Sequence, residues 1–255
     1  YLGSFIMLLM LAANLYSGDR LLTLDDIYGP ETAAGFSDDG IPSLEWGRTG
    51  DYLVRSGDYD HGIFARIDLS TGKETEMVNR EALLESLQAI PGFSGDQAVE
   101  MLRQAGYTLS PLEDRMLVQG SDDLFLFTFS TGRMARLTED SARETGTAFS
   151  PSGSQVAFIR EGDLYVLDLA SGGEQRLTAS ADGNILNGCL DWVYQEEVYG
   201  RGDFKGFWWS PDSSRIVFLQ LDISQEPVCT IVDNRKIHAG EERQRYPHPG
   251  DPNAG

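Results

Sequence analysis

The chain has 255 residues, 41% of them hydrophobic and 10% aromatic, which is enough apolar surface to bury a sizeable core and argues against disorder. Its formal charge of −20 excludes nucleic acid and anionic membrane surfaces as partners, because like charges repel; it leaves room for cationic ligands. There is no CxxC or Cys/His ligand spacing, and the three histidines are scattered, so neither a metal nor a cofactor is expected.

The chain opens on Tyr1 rather than Met, so a start further upstream is expected. Phe5 to Ala13 form an apolar run ending in small residues, followed by Ser17-Gly18-Asp19-Arg20. This reads as the hydrophobic region of an export signal, or the remnant of an N-terminal anchor, over residues 1–20. It is shorter than the roughly 20 residues a spanning helix needs. Export to the periplasm or the extracellular space is therefore expected. It would permit a disulfide between Cys189 and Cys229, although spacing does not show that the two approach.

From Leu44 onward a pattern repeats. Leu44-Glu45-Trp46 leads into Tyr52-Leu53-Val54, and Tyr107-Thr108-Leu109-Ser110-Pro111 into Arg115–Val118. Thr147-Ala148-Phe149-Ser150-Pro151 leads into Gln155–Ile159, and Phe207-Trp208-Trp209-Ser210-Pro211 into Arg215–Leu219. Each copy is a strand end, a Ser-Pro or Gly turn and a second strand of β-formers. Three copies continue into a further hairpin: Ile63–Leu69 turning at Ser70-Thr71-Gly72, Leu124–Phe129 at Ser130-Thr131-Gly132, and Leu164–Leu169 at Ser171-Gly172-Gly173. Four short strands per unit, recurring at about 40 residues, predict an all-β fold of β-propeller blades, about four of them over residues 21–255. A β-sandwich with irregular turns is the alternative.

Two intervals are wider than the repeat. Arg80–Gln104 carries Leu83, Leu84 and Leu87, a Pro91-Gly92 break, then Ala98, Val99 and Leu102, which predicts a small inserted pair of helices used for packing. The other wide interval holds Leu190–Asp212, with Glu196 and Glu197 side by side among aromatic residues. An arbitrary Glu-Glu pair is a solvated turn. This pair sits in a segment that the repeat does not need, and two adjacent carboxylates suit one cation such as an ammonium group.

Asp191-Trp192-Val193-Tyr194-Gln195-Glu196-Glu197-Val198-Tyr199, followed by Trp208-Trp209-Ser210-Pro211-Asp212, resembles the dipeptidyl peptidase IV branch of the prolyl oligopeptidase family. Tyr246-Pro247-His248-Pro249-Gly250-Asp251-Pro252-Asn253 is similar to that family's Y-P-x-x-G-x-x-N segment. The resemblance implies an eight-bladed propeller of which this chain is part. It also implies a serine-type exopeptidase that releases dipeptides from free N-termini, after Pro or Ala, and is a homodimer when intact. It assigns amine binding to Glu196 and Glu197 and to no other residue here. The family's α/β-hydrolase domain lies downstream. No G-x-S-x-G elbow occurs in this chain, so the triad is expected outside it and the chain alone is expected to be inactive. The family's substrate-clamping arginine near the second blade has no counterpart in Val118–Leu126, and neither Arg115 nor Arg133 matches it. An exported propeller that binds peptides or proteins without hydrolysing them is the alternative function.

Overall fold

Short runs of β-formers bounded by turns organise the chain into antiparallel strands, and the middle strands of the second and third sheets are buried on both faces. A computed structural model describes residues 43–140, 142–179, 183–199, 204–233 and 240–255. The apolar run at 5–13 lies outside these residues.

The first sheet is a meander of β1 (Ser43–Trp46), β2 (Tyr52–Ser56), β3 (Phe64–Asp68) and β4 (Glu74–Glu76). Two helices follow, α1 (Arg80–Gln88) and α2 (Gly95–Gln104), at the place where the helical spacing predicts them. Asn79 caps α1 by accepting the Ala82 N–H at 3.0 Å, which satisfies one donor the helix leaves open. Leu83, Leu87, Ala98 and Leu102 are fully buried in one cluster with Met116, Val118, Phe125 and Phe127, so the pair is packing material for the second sheet.

The second sheet contains β5 (Gly106–Leu109), β6 (Arg115–Gly120), β7 (Asp123–Thr128) and β8 (Arg133–Arg136). The third contains β9 (Glu144–Phe149), β10 (Gln155–Arg160), β11 (Asp163–Asp168) and β12 (Glu174–Arg176). Their third and fourth strands are tied by the same device. Leu124 N–H donates to Thr138 Oγ1 at 2.8 Å, and Leu164 N–H to Thr178 Oγ1 at 2.9 Å. In each sheet an arginine of the last strand, Arg136 or Arg176, pairs with a buried aspartate, Asp123 or Asp163. The same arginine donates to the threonine carbonyl at 3.1 or 2.9 Å. The outer strand stops where it does because that threonine turns inward to cap a backbone donor.

The Ser-Pro turns act alike. Ser110, Ser150 and Ser210 each accept on Oγ the N–H five residues on, at 3.3, 3.1 and 2.9 Å. These turns also join sheet to sheet: Arg48 N–H meets Glu113 Oε1 at 2.6 Å, and Ser152 N–H meets Ser213 Oγ at 2.9 Å. The Trp209 indole donates to the Ala148 carbonyl on β9 at 3.3 Å. The second and third sheets pack face to face through Leu117, Leu124, Phe158 and Leu167, and the third meets the fourth at Phe207, as the blades of a propeller do. The structure is a partial β-propeller with a small helical insertion.

Candidate functional site

The fourth sheet differs from the first three. β13 (Ile185–Asn187) pairs with β16 (Gln220–Asp222), and β14 (Phe207–Trp209) pairs with β15 (Ile216–Phe218). Both arms run antiparallel to one continuous stretch, so β13 and β14 are two halves of a single first strand. The intervening residues leave from its middle. Leu219 serves both halves, accepting the Gly188 N–H at 2.8 Å and donating to the Gly206 carbonyl at 2.8 Å. Across the neck, Gly206 N–H donates to Gly188 O at 2.7 Å and Leu190 N–H to Phe204 O at 2.8 Å, with Cys189 bridged to Lys205 between them.

Glycine is required at this neck. Gly188 has φ +71°, and a Cβ there would stand 3.2 Å from Ile159 Cδ1. One at Gly206 would stand 3.1 Å from Leu190 Cδ2 and 3.3 Å from the Gly188 carbonyl carbon. Asn187 docks the arm onto the third sheet, donating from its side chain to Asp163 at 2.9 Å and from its N–H to Gly162 O at 2.8 Å.

Beyond the neck the chain winds into a wide turn. Asp191 starts it, accepting the N–H groups of Val193 at 3.1 Å and Tyr194 at 3.2 Å on its two carboxyl oxygens. Tyr194–Val198 then form a π-helical turn closed by Tyr199 N–H to Tyr194 O at 2.9 Å. Such widened turns carry one extra residue per loop and recur at functional positions. Glu196 and Glu197 sit within it, Glu196 half-buried and Glu197 exposed. Gln195, between them and Tyr194, is buried. Val198 is 62% exposed, so the apolar side chain beside the acids lies open at the tip.

The base of the turn is packed. Leu190 is buried with Leu221 and Ala254, and Tyr194 packs on the same cluster. Trp192 stacks obliquely on Tyr246, ring centroids 4.6 Å apart, and Tyr246 meets His248 edge-on at 5.7 Å. The structure thus brings together the two segments singled out in the sequence, the acidic one and Tyr246–Asn253. Tyr246 is placed by its own N–H to Pro227 O, 3.0 Å, at the end of the hairpin β17 (Val228–Asp233) and β18 (Gly240–Arg245).

Sequence reasoning did not reach Glu226, which lies buried in the turn before β17; burial first, and then the neighbouring Asp191, push its carboxyl up to about 7. No motif or periodicity marks it. Cys189 and Cys229 are both free thiols. Burial and the nearby Asp191 charge push the Cys189 thiol up to about 11. Cys229 approaches the His248 ring at 3.8 Å.

Residues 108–255 match the family model for the dipeptidyl peptidase IV (DPP IV) N-terminal region. The chain belongs to that family. A Schizosaccharomyces pombe protein named as a dipeptidyl aminopeptidase is 33% identical over 144 residues, covering 51% of this chain and 17% of that protein. Dipeptidyl peptidase 4 of Trichophyton rubrum is 32% identical over 130 residues, covering 48% of this chain and 16% of the relative. The matched part of the chain therefore spans about a sixth of these curated relatives. The crystal structure of Porphyromonas gingivalis dipeptidyl peptidase 4 superposes with a TM-score of 0.70 at 20% identity, covering 93% of this chain and 33% of that one. That likeness establishes the propeller fold. Among the described residues no helix is long and apolar enough to cross a membrane.

Proposed function

We propose that this chain is the substrate-gating, amine-anchoring propeller part of an exported, serine-type dipeptidyl aminopeptidase that works as a homodimer and releases X-Pro or X-Ala dipeptides. The serine, its histidine base and the oxyanion hole belong to the α/β-hydrolase domain of the same protein. The dipeptidyl peptidase names of the relatives support the reaction class.

The observation that carries the reading is the loop from the first strand. The blades of a propeller surround a central channel with their first strands innermost, so on this reading a loop leaving the middle of β13–β14 opens toward the channel and offers its acids to a peptide there. An ammonium group offers three donors and no acceptor, and two carboxylates take charge-assisted bonds from it. Acylating the N-terminus removes the charge and leaves the two carboxylates crowded, which selects free N-termini. Anchoring the amine also measures the cut: a residue spans about 3.3–3.6 Å when extended, so the second peptide bond lies at a set reach of ~7 Å. The packed base of Leu190, Trp192 and Tyr246 keeps that reach constant.

Glu196→Ala and Glu197→Ala in the full-length protein test it. Each charge-assisted bond is worth about 1.5–3 kcal/mol, so kcat/KM for a chromogenic Gly-Pro substrate is expected to fall about 10- to 150-fold per variant. The melting temperature is expected to stay unchanged, and the N-acetylated substrate to be refused by the wild type. An unaltered kcat/KM in both variants removes the amine role. Turnover without any downstream hydrolase segment would replace the reading as a whole.

A further inference from the structure

The first strand of the third sheet breaks its register beside the neck of the acidic turn. Ala148 on β9 faces Ala157 on β10 and Thr145 faces Ile159, so Gly146 and Thr147 together stand opposite Phe158 alone. Gly146 has φ +59°, which makes this the kind of bulge that places a glycine in the left-handed region. The first strands of the first and second sheets, β1 and β5, pair with their neighbours one residue to one residue throughout. The extra residue is therefore no part of the repeat.

What lies against it is the neck. A Cβ built on Gly146 would stand 3.4 Å from Lys205 Cβ, 3.6 Å from Lys205 Cα and 3.6 Å from Ile159 Cγ1. The far end of the same buried isoleucine is the methyl that faces Gly188. One side chain thus touches the bulge at one end and the neck at the other, and Lys205, bridged to Cys189, lies over the bulge glycine. Two residues along β9, the Ala148 carbonyl holds the Trp209 indole just past the neck. A straight strand presents a side chain to a given face at every second residue. The bulge bends β9 and offers a hydrogen instead, which leaves the backbone of the neck room to approach.

We infer that the Gly146 bulge is the seat of the acid-bearing turn, and that Gly146 and Ile159 are positioning residues that fix where Glu196 and Glu197 stand. They act through Lys205 and Gly188 at the neck. The consequence for catalysis rests on the amine-binding reading, whereas the seat itself does not. A loop tied only within its own sheet would hinge at Gly188 and Gly206. Seated on the preceding sheet, it moves with that sheet, and its acids keep a set position.

The test compares wild type, Gly146→Asn and Gly172→Asn in the full-length protein. Gly172 lies between β11 and β12 with φ +70° and nothing within 4 Å, so it has the same backbone conformation away from the neck. Asn tolerates the left-handed region better than most side chains, so the backbone cost is small and alike at both positions. Only at position 146 does the new side chain meet Lys205. In Gly146→Asn, KM for a free chromogenic Gly-Pro substrate is expected to rise about tenfold, the low end of losing one charge-assisted bond, with kcat within about twofold. Gly172→Asn is expected to keep the wild-type KM.

Hydrogen exchange supplies a readout free of peptidase activity. The Gly188, Gly206 and Leu219 amides, whose bonds close the neck, are expected to exchange faster in Gly146→Asn and at the wild-type rate in Gly172→Asn. Ile159→Val withdraws the methyl facing Gly188 without changing the backbone. It is expected to move the same amides in the same direction, and it decides the matter should Gly146→Asn fail to fold. Wild-type exchange at the neck in the variants at 146 and 159 overturns the seat. Faster exchange with a wild-type KM, or an equal KM rise in Gly172→Asn, overturns the positioning role. If Glu196→Ala leaves kcat/KM intact while neck exchange rises in Gly146→Asn, the amine reading fails and the seat stands.

Discussion

The third sheet and the turn looped out of the fourth spend their polar groups in opposite ways. In the sheet three side-chain devices repeat those of its neighbour: Ser150 copies Ser110, Thr178 copies Thr138, Arg176 copies Arg136. In the looped-out turn no bond is copied. Asp191 caps the Val193 and Tyr194 N–H groups, Trp192 stacks on Tyr246, and the tip residues Val198 and Tyr199 are exposed. Repetition gives a scaffold whose geometry is set several times over. The exception is held firmly at its base and left open at its tip, where a ligand has to arrive.

The largest expected effect breaks the scaffold side. Phe158 is fully buried and stacks on Tyr165 at 5.6 Å, so Phe158→Ala is expected to cost about 3–5 kcal/mol in chemical denaturation. Val198→Ala at the tip should stay within about 0.5 kcal/mol. Similar losses at the two positions would mean that scaffold and tip are not mechanically distinct.

A middle-sized effect is expected at the neck. Gly188→Ala meets a positive φ and a close Ile159 methyl, which together cost about 1–3 kcal/mol. In the full-length enzyme the same change should raise KM for free dipeptides, because the strand halves can no longer close on Leu219. A variant with wild-type stability and KM would show that the neck relaxes without moving the acids.

The smallest effect concerns the repeated turns. Ser150→Ala removes a hydroxyl that accepts the Gln155 N–H in a buried turn, about 1 kcal/mol. Ser110→Ala should cost at least as much in a melt, since Ser110 accepts the equivalent Arg115 N–H and also donates to Asp114 Oδ1 at 2.8 Å, where Ser150 has Ser152 Oγ at 3.1 Å. A smaller loss at Ser110 would mean that the repeat is one of shape and not of energy.

Much of the scaffold was legible in advance because its signals are local. Ser-Pro turns, Ser-Thr-Gly turns and alternating β-formers are set by residues a few positions apart, and they recur. The inserted helices were legible for the same reason, since Leu83, Leu87, Ala98 and Leu102 keep helical spacing. The acidic turn was legible as a motif, and Asp191 could be read as the start of a turn. Its widening into a π-helical turn was not, because no side-chain pattern distinguishes one extra residue in a loop. The split of the fourth sheet's first strand was hidden too. The break in the repeat looked like an addition before a blade, whereas the hydrogen bonds of Leu219 place it inside one.

By itself the amino-acid order determined the blades, the helical insertion and the presence of two adjacent acids, since each depends on neighbours along the chain. Only the folded structure decided what the acids stand on: a neck that needs Gly188 and Gly206, a Trp192–Tyr246 contact, and the burial of Asp191 and Glu226. Those depend on segments far apart in sequence, each carrying one half of a contact. A half contact, such as a lone Glu226 between Gln225 and Pro227, has no meaning until the other half is beside it.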